Sequence, residues 1–255
     1  MMNDNNFYMD PKLRFSSRVS NYVKYRPKYP STIIEFLTNE RILSKDSIIA
    51  DIGSGTGILS QLFLENGNTV YGIEPNSEMR NAAEKILKQY EYFISIEGAA
   101  ENTTLNDNSI DLISAGQAFH WFDVNKTKKE FKRILKSSGY VILIWNIRKK
   151  TTPGFQMDYE QFVLKYGKDY KEILKQDKNI DLLFEYKRKS FYNSQLFNYD
   201  AFLGRVLSSS YIPLANEPNY DEMVKEVKEL FDKYQKKGFI KIEYNTILYY
   251  GQLFI

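Results

Sequence analysis

The chain has 255 residues, enough for one large α/β domain with a cap or for two small domains. A hydrophobic content of 43% supports a full core, and a net charge of +3 with acids and bases interspersed calls for no nucleic-acid partner. The absence of cysteine excludes disulfides, thiolate nucleophiles and cysteine-ligated metals, and the single histidine, His120, leaves one imidazole and no expected metal site. The opening residues MMNDNNFYMDPKLRF carry no apolar core of signal-peptide length, and the longest strongly apolar run, Tyr140 to Trp145, is far short of a membrane span. A soluble, cytoplasmic protein with no membrane partner is expected.

From Phe15 to Pro30 the chain reads FSSRVSNYVKYRPKYP, with Phe15, Val19, Tyr22, Val23 and Arg26 on one helical face before two prolines break it. Ser31 to Leu37 restarts as a helix with Ser31 placed to cap it. This segment serves either as an amphipathic helix packed on the sheet edge or as a lid.

Ser47 to Ser60, SIIADIGSGTGILS, organises the rest. A short apolar run leads through Asp51 to glycines at 53, 55 and 57, and Ile58, Leu59, Leu62 and Phe63 then fall at helical spacing. That is a buried strand, a glycine turn and a helix. A dinucleotide loop wants glycine at its first, third and sixth positions, and a phosphate-cradling loop wants lysine directly after its last glycine. Ile58 stands in both places.

The second strand, Asn68 to Ile73, ends in Glu74-Pro75, and Glu74 lies 23 residues past Asp51, near the interval at which an acid meets ribose hydroxyls in such folds. A helix opens at Asn76 and carries Met79. The third strand, Tyr92 to Glu97, runs into Gly98-Ala99-Ala100-Glu101. The fourth, Ile110 to Ser114, runs into Ala115 to Asp123, AGQAFHWFD, which crowds aromatics and the histidine at the carboxyl end of a central strand. A helix from Val124 to Leu135, the turn Ser137-Ser138-Gly139 and a fifth strand from Tyr140 to Trp145 complete one doubly wound sheet.

Beyond Asn146 the spacing predicts a helix from Pro153 stopped by Gly167, a strand from Lys189 to Tyr199 and a short helix from Asp200 to Leu207. A helix from Asp221 to Lys237 and a closing strand from Phe239 to Tyr250 follow. The last strand sets Ile240, Ile242, Tyr244, Thr246, Leu248 and Tyr250 on one face and is expected to pair antiparallel with the main sheet.

The loop DIGSGTG at 51 to 57 resembles motif I of the class I S-adenosylmethionine-dependent methyltransferases. Other stretches carry the same resemblance: YVKYRPKYP at 22 to 30, GIEPNSEM at 72 to 79, GAAE at 98 to 101, QAFHWFD at 117 to 123 and LSSSYIP at 207 to 213. Together they are similar to small-molecule methyltransferases of the broad group that includes trans-aconitate methyltransferases. The resemblance implies an α/β, Rossmann-like doubly wound seven-stranded sheet, its last strand antiparallel, with an α-helical cap from the N-terminal and C-terminal segments. Residues 1–38 would form a helical lid and 39–147 the S-adenosylmethionine-binding core. Residues 148–255 would form a substrate cap interleaved with the final strands.

The implied cofactor is S-adenosyl-L-methionine, leaving S-adenosyl-L-homocysteine, and the implied partner is a small-molecule acceptor. By the same resemblance Asp51, Gly53, Ser54, Gly55 and Gly57 form the cofactor loop, Glu74 and Pro75 meet the ribose, and Met79, Ala100 and Glu101 meet adenine. Gln117, Ala118 and Arg26 would hold the methionine half, Arg26 pairing with its carboxylate, while Tyr22 or Tyr25 lines the site. Trp121, Phe122 and Tyr211 would face the substrate, with His120 as general base or hydrogen-bond orienter. Three other readings stay open: a nicotinamide-dependent oxidoreductase, against which Ile58 argues; a nucleic-acid methyltransferase using the basic residues at 126–136 and 148–150; and a non-enzymatic S-adenosylmethionine-binding regulator.

Overall fold

The computed structural model describes residues 19–168, 170 and 180–253. The side chain of Tyr22 and residues 1–18 of the expected lid lie outside the described residues. The chain opens with α1 (Val19–Tyr25) and α2 (Thr32–Asn39), followed by β1 (Ile48–Ile52), α3 (Ile58–Glu65), β2 (Thr69–Ile73), α4 (Ser77–Leu87) and β3 (Phe93–Ile96). Next come β4 (Ile110–Gly116), a single 3-10 turn at Phe119–Trp121, α5 (Val124–Ile134) and β5 (Leu135–Arg148). The remainder comprises α6 (Phe155–Tyr166), α7 (Ile180–Leu183), β6 (Lys187–Phe197), α8 (Tyr199–Leu207), α9 (Tyr220–Tyr234) and β7 (Ile240–Gln252).

The strands form one seven-stranded sheet in the order β3-β2-β1-β4-β5-β7-β6. β1 pairs in parallel with β2 and β4, and the pairs β2–β3 and β4–β5 are also parallel. β7 runs antiparallel to both neighbours, β5 and β6, as expected for the last strand. The winding reverses between β1 and β4, which opens a crevice at their carboxyl ends.

Alternation along each strand divides the core. Ala50 and Ile52 face one apolar layer with Ile113, Leu143 and Phe131, while Ile49 faces the other with Leu112, Ile142, Ile144 and Leu248. Both faces are covered, so β1 needs a continuous apolar run. A third cluster, including Tyr159, Phe202, Phe231, Ile242 and Tyr244, joins α6, α8 and α9 to the start of β7.

Local chemistry departs from the sequence reading at three places. Ser31 keeps helical dihedrals and makes no side-chain cap to α2. β5 starts at Leu135, because a register shift between Ile110 and Leu112 absorbs the segment read as a Ser-Ser-Gly turn. Gly167 has φ −78, and a side chain there would meet the Val163 carbonyl at 2.6 Å, so close approach rather than a left-handed cap demands glycine.

Candidate functional site

The glycine loop after β1 is shaped by its own backbone. Gly53, Gly55 and Gly57 all have positive φ, at 66, 58 and 82 degrees, where residues with a Cβ are strained. The amides of Gly53 and Ser54 both donate to the Ile73 carbonyl, at 2.9 and 3.1 Å, tying the loop to the end of β2. A Cβ on Gly53 would lie 2.7 Å from the Ala118 Cβ and 3.6 Å from the Phe122 ring. Gly55 opens into free space, and Gly57 abuts Leu87 on the far side. The loop therefore uses its three glycines differently: Gly53 for approach by the segment after β4, Gly55 for room, Gly57 for packing onto α4.

Glu74 leaves β2 directly beneath this loop. Its carboxylate accepts from the Gly55 amide and the Asn76 amide, both at 2.9 Å. Burial raises its pKa above the ordinary carboxylate value, although those amides and Arg80 pull it down. Arg80 also donates to the carbonyls of Glu74 and Pro75, at 2.9 and 3.1 Å, and fixes the strand end. The Asn76 side chain caps α4 through the Met79 amide, and Met79 itself is buried.

Asp51 is fully buried in β1, its two oxygens accepting from the Ser60 hydroxyl at 2.6 Å and the Ser114 hydroxyl at 3.0 Å. Burial pushes its pKa up to about 7, against the pull of the two serines and helped by nearby Glu74. The carboxyl is thus poised to exchange a proton near neutrality.

Arg26, Asp51, Gly53, Ser54, Gly55 and Gln117, all expected from the sequence, line one cleft at the β1/β4 reversal. Gln117 takes a positive φ of 58 degrees, and its amide donates to the Ile144 carbonyl at 2.9 Å, so it turns the chain off the end of β4. The sequence reading missed Tyr29, Thr56 and Asn146, which share the wall. The Tyr29 hydroxyl stands where a side chain on Gly116 would be, and the buried Thr56 hydroxyl has no hydrogen-bond partner among the described residues. Asn146 accepts from Asn193 and Thr246 and donates to the carbonyls of Pro27 and Lys28, holding the Arg26–Tyr29 segment against β5, β6 and β7.

Other expected residues stand around this cleft. Ala100 is buried at the turn after β3, and Glu101 accepts from the Asp123 amide at 2.8 Å, joining that turn to the segment after β4. Glu130 supports the same turn by accepting from the Thr103 amide and hydroxyl while ion-paired to Arg133. Ala118 and Phe122 pack against Gly53 of the glycine loop. His120 lies 4.8 Å from Trp121, ring centre to ring centre, tilted by 46 degrees. Neither is among the described residues that line the cleft. The Tyr25 ring packs over Gly204 in α8, and Tyr211 lies beside Tyr170 at 4.9 Å. Among the described residues no group of three or more histidines or carboxylates could hold a metal, and no helix is long and apolar enough to cross a membrane.

Residues 50–143 match a family model described as a methyltransferase domain. An uncharacterised methyltransferase of Schizosaccharomyces pombe is 32% identical over 140 residues, 54% of this chain and 55% of that protein. One from Mycobacterium bovis is 34% identical over 139 residues, 54% of each. The chain spans about half the length of these curated relatives. The solved structure of a candidate type II methyltransferase from Anaeromyxobacter dehalogenans shares the fold, with a TM-score of 0.67 at 19% identity, covering 90% of this chain and 98% of that one. Residues 50–143 thus resemble a methyltransferase domain in sequence, and the chain shares the fold of a solved candidate methyltransferase.

Proposed function

We propose that this chain binds S-adenosylmethionine in the cleft at the β1/β4 reversal and transfers its methyl group to a small-molecule acceptor, in the group that includes trans-aconitate methyltransferases. The observation that carries the reading is the Glu74 carboxylate held beneath Gly55, in a loop whose central glycine opens into free space. A carboxylate there has lone pairs left for two vicinal hydroxyls. The unpartnered Thr56 hydroxyl and the Asp51 carboxyl in the same wall suit a polar, cationic ligand. When bound, S-adenosylmethionine supplies a methyl already activated by its sulfonium. The protein's task is then to align the acceptor and exclude water. Arg26, Pro27 and Tyr29 close one side of the cleft, and Asn146 holds them there.

Asp51 gives the reading a pH signature. Its carboxyl holds a proton to about pH 7 in the free protein, and a cation bound nearby favours the ionised form. Affinity for S-adenosylmethionine is therefore expected to rise about tenfold between pH 6 and pH 8, with proton release near pH 6, and to lose this dependence in Asp51→Asn. Calorimetry in two buffers of different ionisation enthalpy measures both effects. A flat profile in the parent protein would detach Asp51 from the ligand.

His120 is proposed to pack rather than to act as the general base, because its ring lies against Trp121 and it is not among the described residues that line the cleft. Steady-state kinetics of His120→Gln are expected to show kcat within about threefold of the parent. A loss of roughly 100-fold or more would restore it as the base.

A further inference from the structure

The cap buries more positive than negative charge. Arg148, at the end of β5, and Arg205, in α8, are only 9% and 4% exposed. One nitrogen of Arg148 donates to Glu160 at 2.7 Å and to the Tyr170 hydroxyl at 2.9 Å, and its guanidinium lies 4.6 Å from the centre of the Tyr159 ring. The same Glu160 also takes Lys150, at 3.3 Å. Arg205 has only the hydroxyls of Ser208 and Ser209, at 3.4 and 3.1 Å, and no carboxylate among the described residues. The second terminal nitrogen of Arg148 and the Nε of Arg205 are buried with no hydrogen-bond partner among the described residues. A buried guanidinium left partly unbonded is costly, and a fold carrying two in one region needs a reason to keep them.

Their position supplies the reason. Arg26 lines the cofactor cleft and donates to the Ser208 carbonyl at 2.9 Å, so the cleft wall and the Arg205 end of α8 are directly joined. Asn146 lines the same cleft, and Arg148, two residues along β5, projects from the same sheet face. Tyr211 senses all three cations: burial alone would raise its phenol pKa, yet Arg148, Arg205 and Arg26 hold it below the ordinary value.

We infer that Arg148 and Arg205, with Tyr211 beside Tyr170, form an oxyanion subsite that receives a carboxylate or phosphate group of the acceptor beside the cofactor cleft. The planar guanidinium forks match either group, and each would gain the acceptor it lacks. The acceptor is therefore an anionic small molecule. Its identity as an acceptor rests on the methyl-transfer reading, whereas the subsite itself does not.

The test is thermal unfolding of the full chain with succinate or inorganic phosphate, against sodium chloride at equal ionic strength. Binding of S-adenosylhomocysteine is followed separately by calorimetry. Succinate or phosphate is expected to raise Tm by several degrees where chloride does not. The effect should disappear in Arg205→Met, with S-adenosylhomocysteine affinity within about threefold of the parent. Arg205→Lys keeps the charge but not the fork and, even if the methionine variant unfolds, should weaken the anion at least about tenfold. A response to succinate alone assigns a carboxylate acceptor, one to phosphate alone a phosphorylated acceptor, and one to both a general oxyanion site. No response to either, or an undiminished response in Arg205→Lys, would overturn the subsite. Loss of S-adenosylhomocysteine binding in the parent protein, with the anion response intact, would instead remove the methyl-transfer reading.

Discussion

Glu74→Ala is expected to weaken S-adenosylmethionine binding by at least about 100-fold while leaving the chain folded. Two ribose hydroxyls would lose a charged acceptor, and hydrogen bonds to charged groups contribute about 1.5–3 kcal/mol each. The same change removes the acceptor from the Gly55 and Asn76 amides. The Gly55 amide sits in a loop that opens into free space, so water can replace the carboxylate there. The cost of an unsatisfied buried amide, about 1–3 kcal/mol, falls mainly on Asn76. Glu74→Gln retains one acceptor oxygen and is expected to lose only about tenfold. Titration calorimetry with circular dichroism as the folding control measures both. A folded alanine variant binding within threefold of the parent would remove Glu74 from the cofactor site.

Gly53→Ala is expected to damage fold and site together. The residue sits at φ 66, where a Cβ costs about 1–2 kcal/mol, and that Cβ would lie 2.7 Å from the Ala118 Cβ. Relieving the contact forces apart the loops after β1 and β4, adding an overpacking cost of about 1–3 kcal/mol. Gly55→Ala has nearly the same φ but meets nothing within 4 Å. It should lose only the conformational part of that stability while placing a methyl group in the ligand's space. Urea unfolding should therefore rank Gly53→Ala as the less stable of the two, with binding impaired in both. Equal losses of stability would show that Ala118 yields freely and that the two loops are not tightly coupled.

The glycine loop and Glu74 were legible in the sequence because short-range constraints produce them: a turn off a buried strand, and an acid at the next strand's end. β7 was legible for a similar reason. Its alternating residues from Ile240 to Tyr250 are all buried, the pattern that a strand's period of two sets on one face. The start of β5 was hidden because Ser137, Ser138 and Gly139 have turn composition, and only pairing with β4 makes that segment part of a bulged strand. The cap's buried cations were hidden more deeply. Arg148 precedes Lys149 and Lys150 and reads as part of a solvated basic run, yet packing against Glu160 and Tyr159 buries it. Arg26 meets the Ser208 carbonyl across 182 residues, and Asn146 meets Thr246 across 100. No local pattern encodes such contacts, because they depend on where β6, α8 and β7 return to the sheet. Thr56 was within reach: it lies inside the glycine motif, and its buried hydroxyl has no hydrogen-bond partner among the described residues.

The central claim is that the cleft between the glycine loop and Gln117 takes S-adenosylmethionine. Calorimetric titration of the full chain with S-adenosylmethionine, S-adenosylhomocysteine and NADH tests it most directly. The account predicts one site for each sulfur compound and none for NADH. Folded protein that binds neither sulfur compound, or that binds NADH in their place, would contradict it.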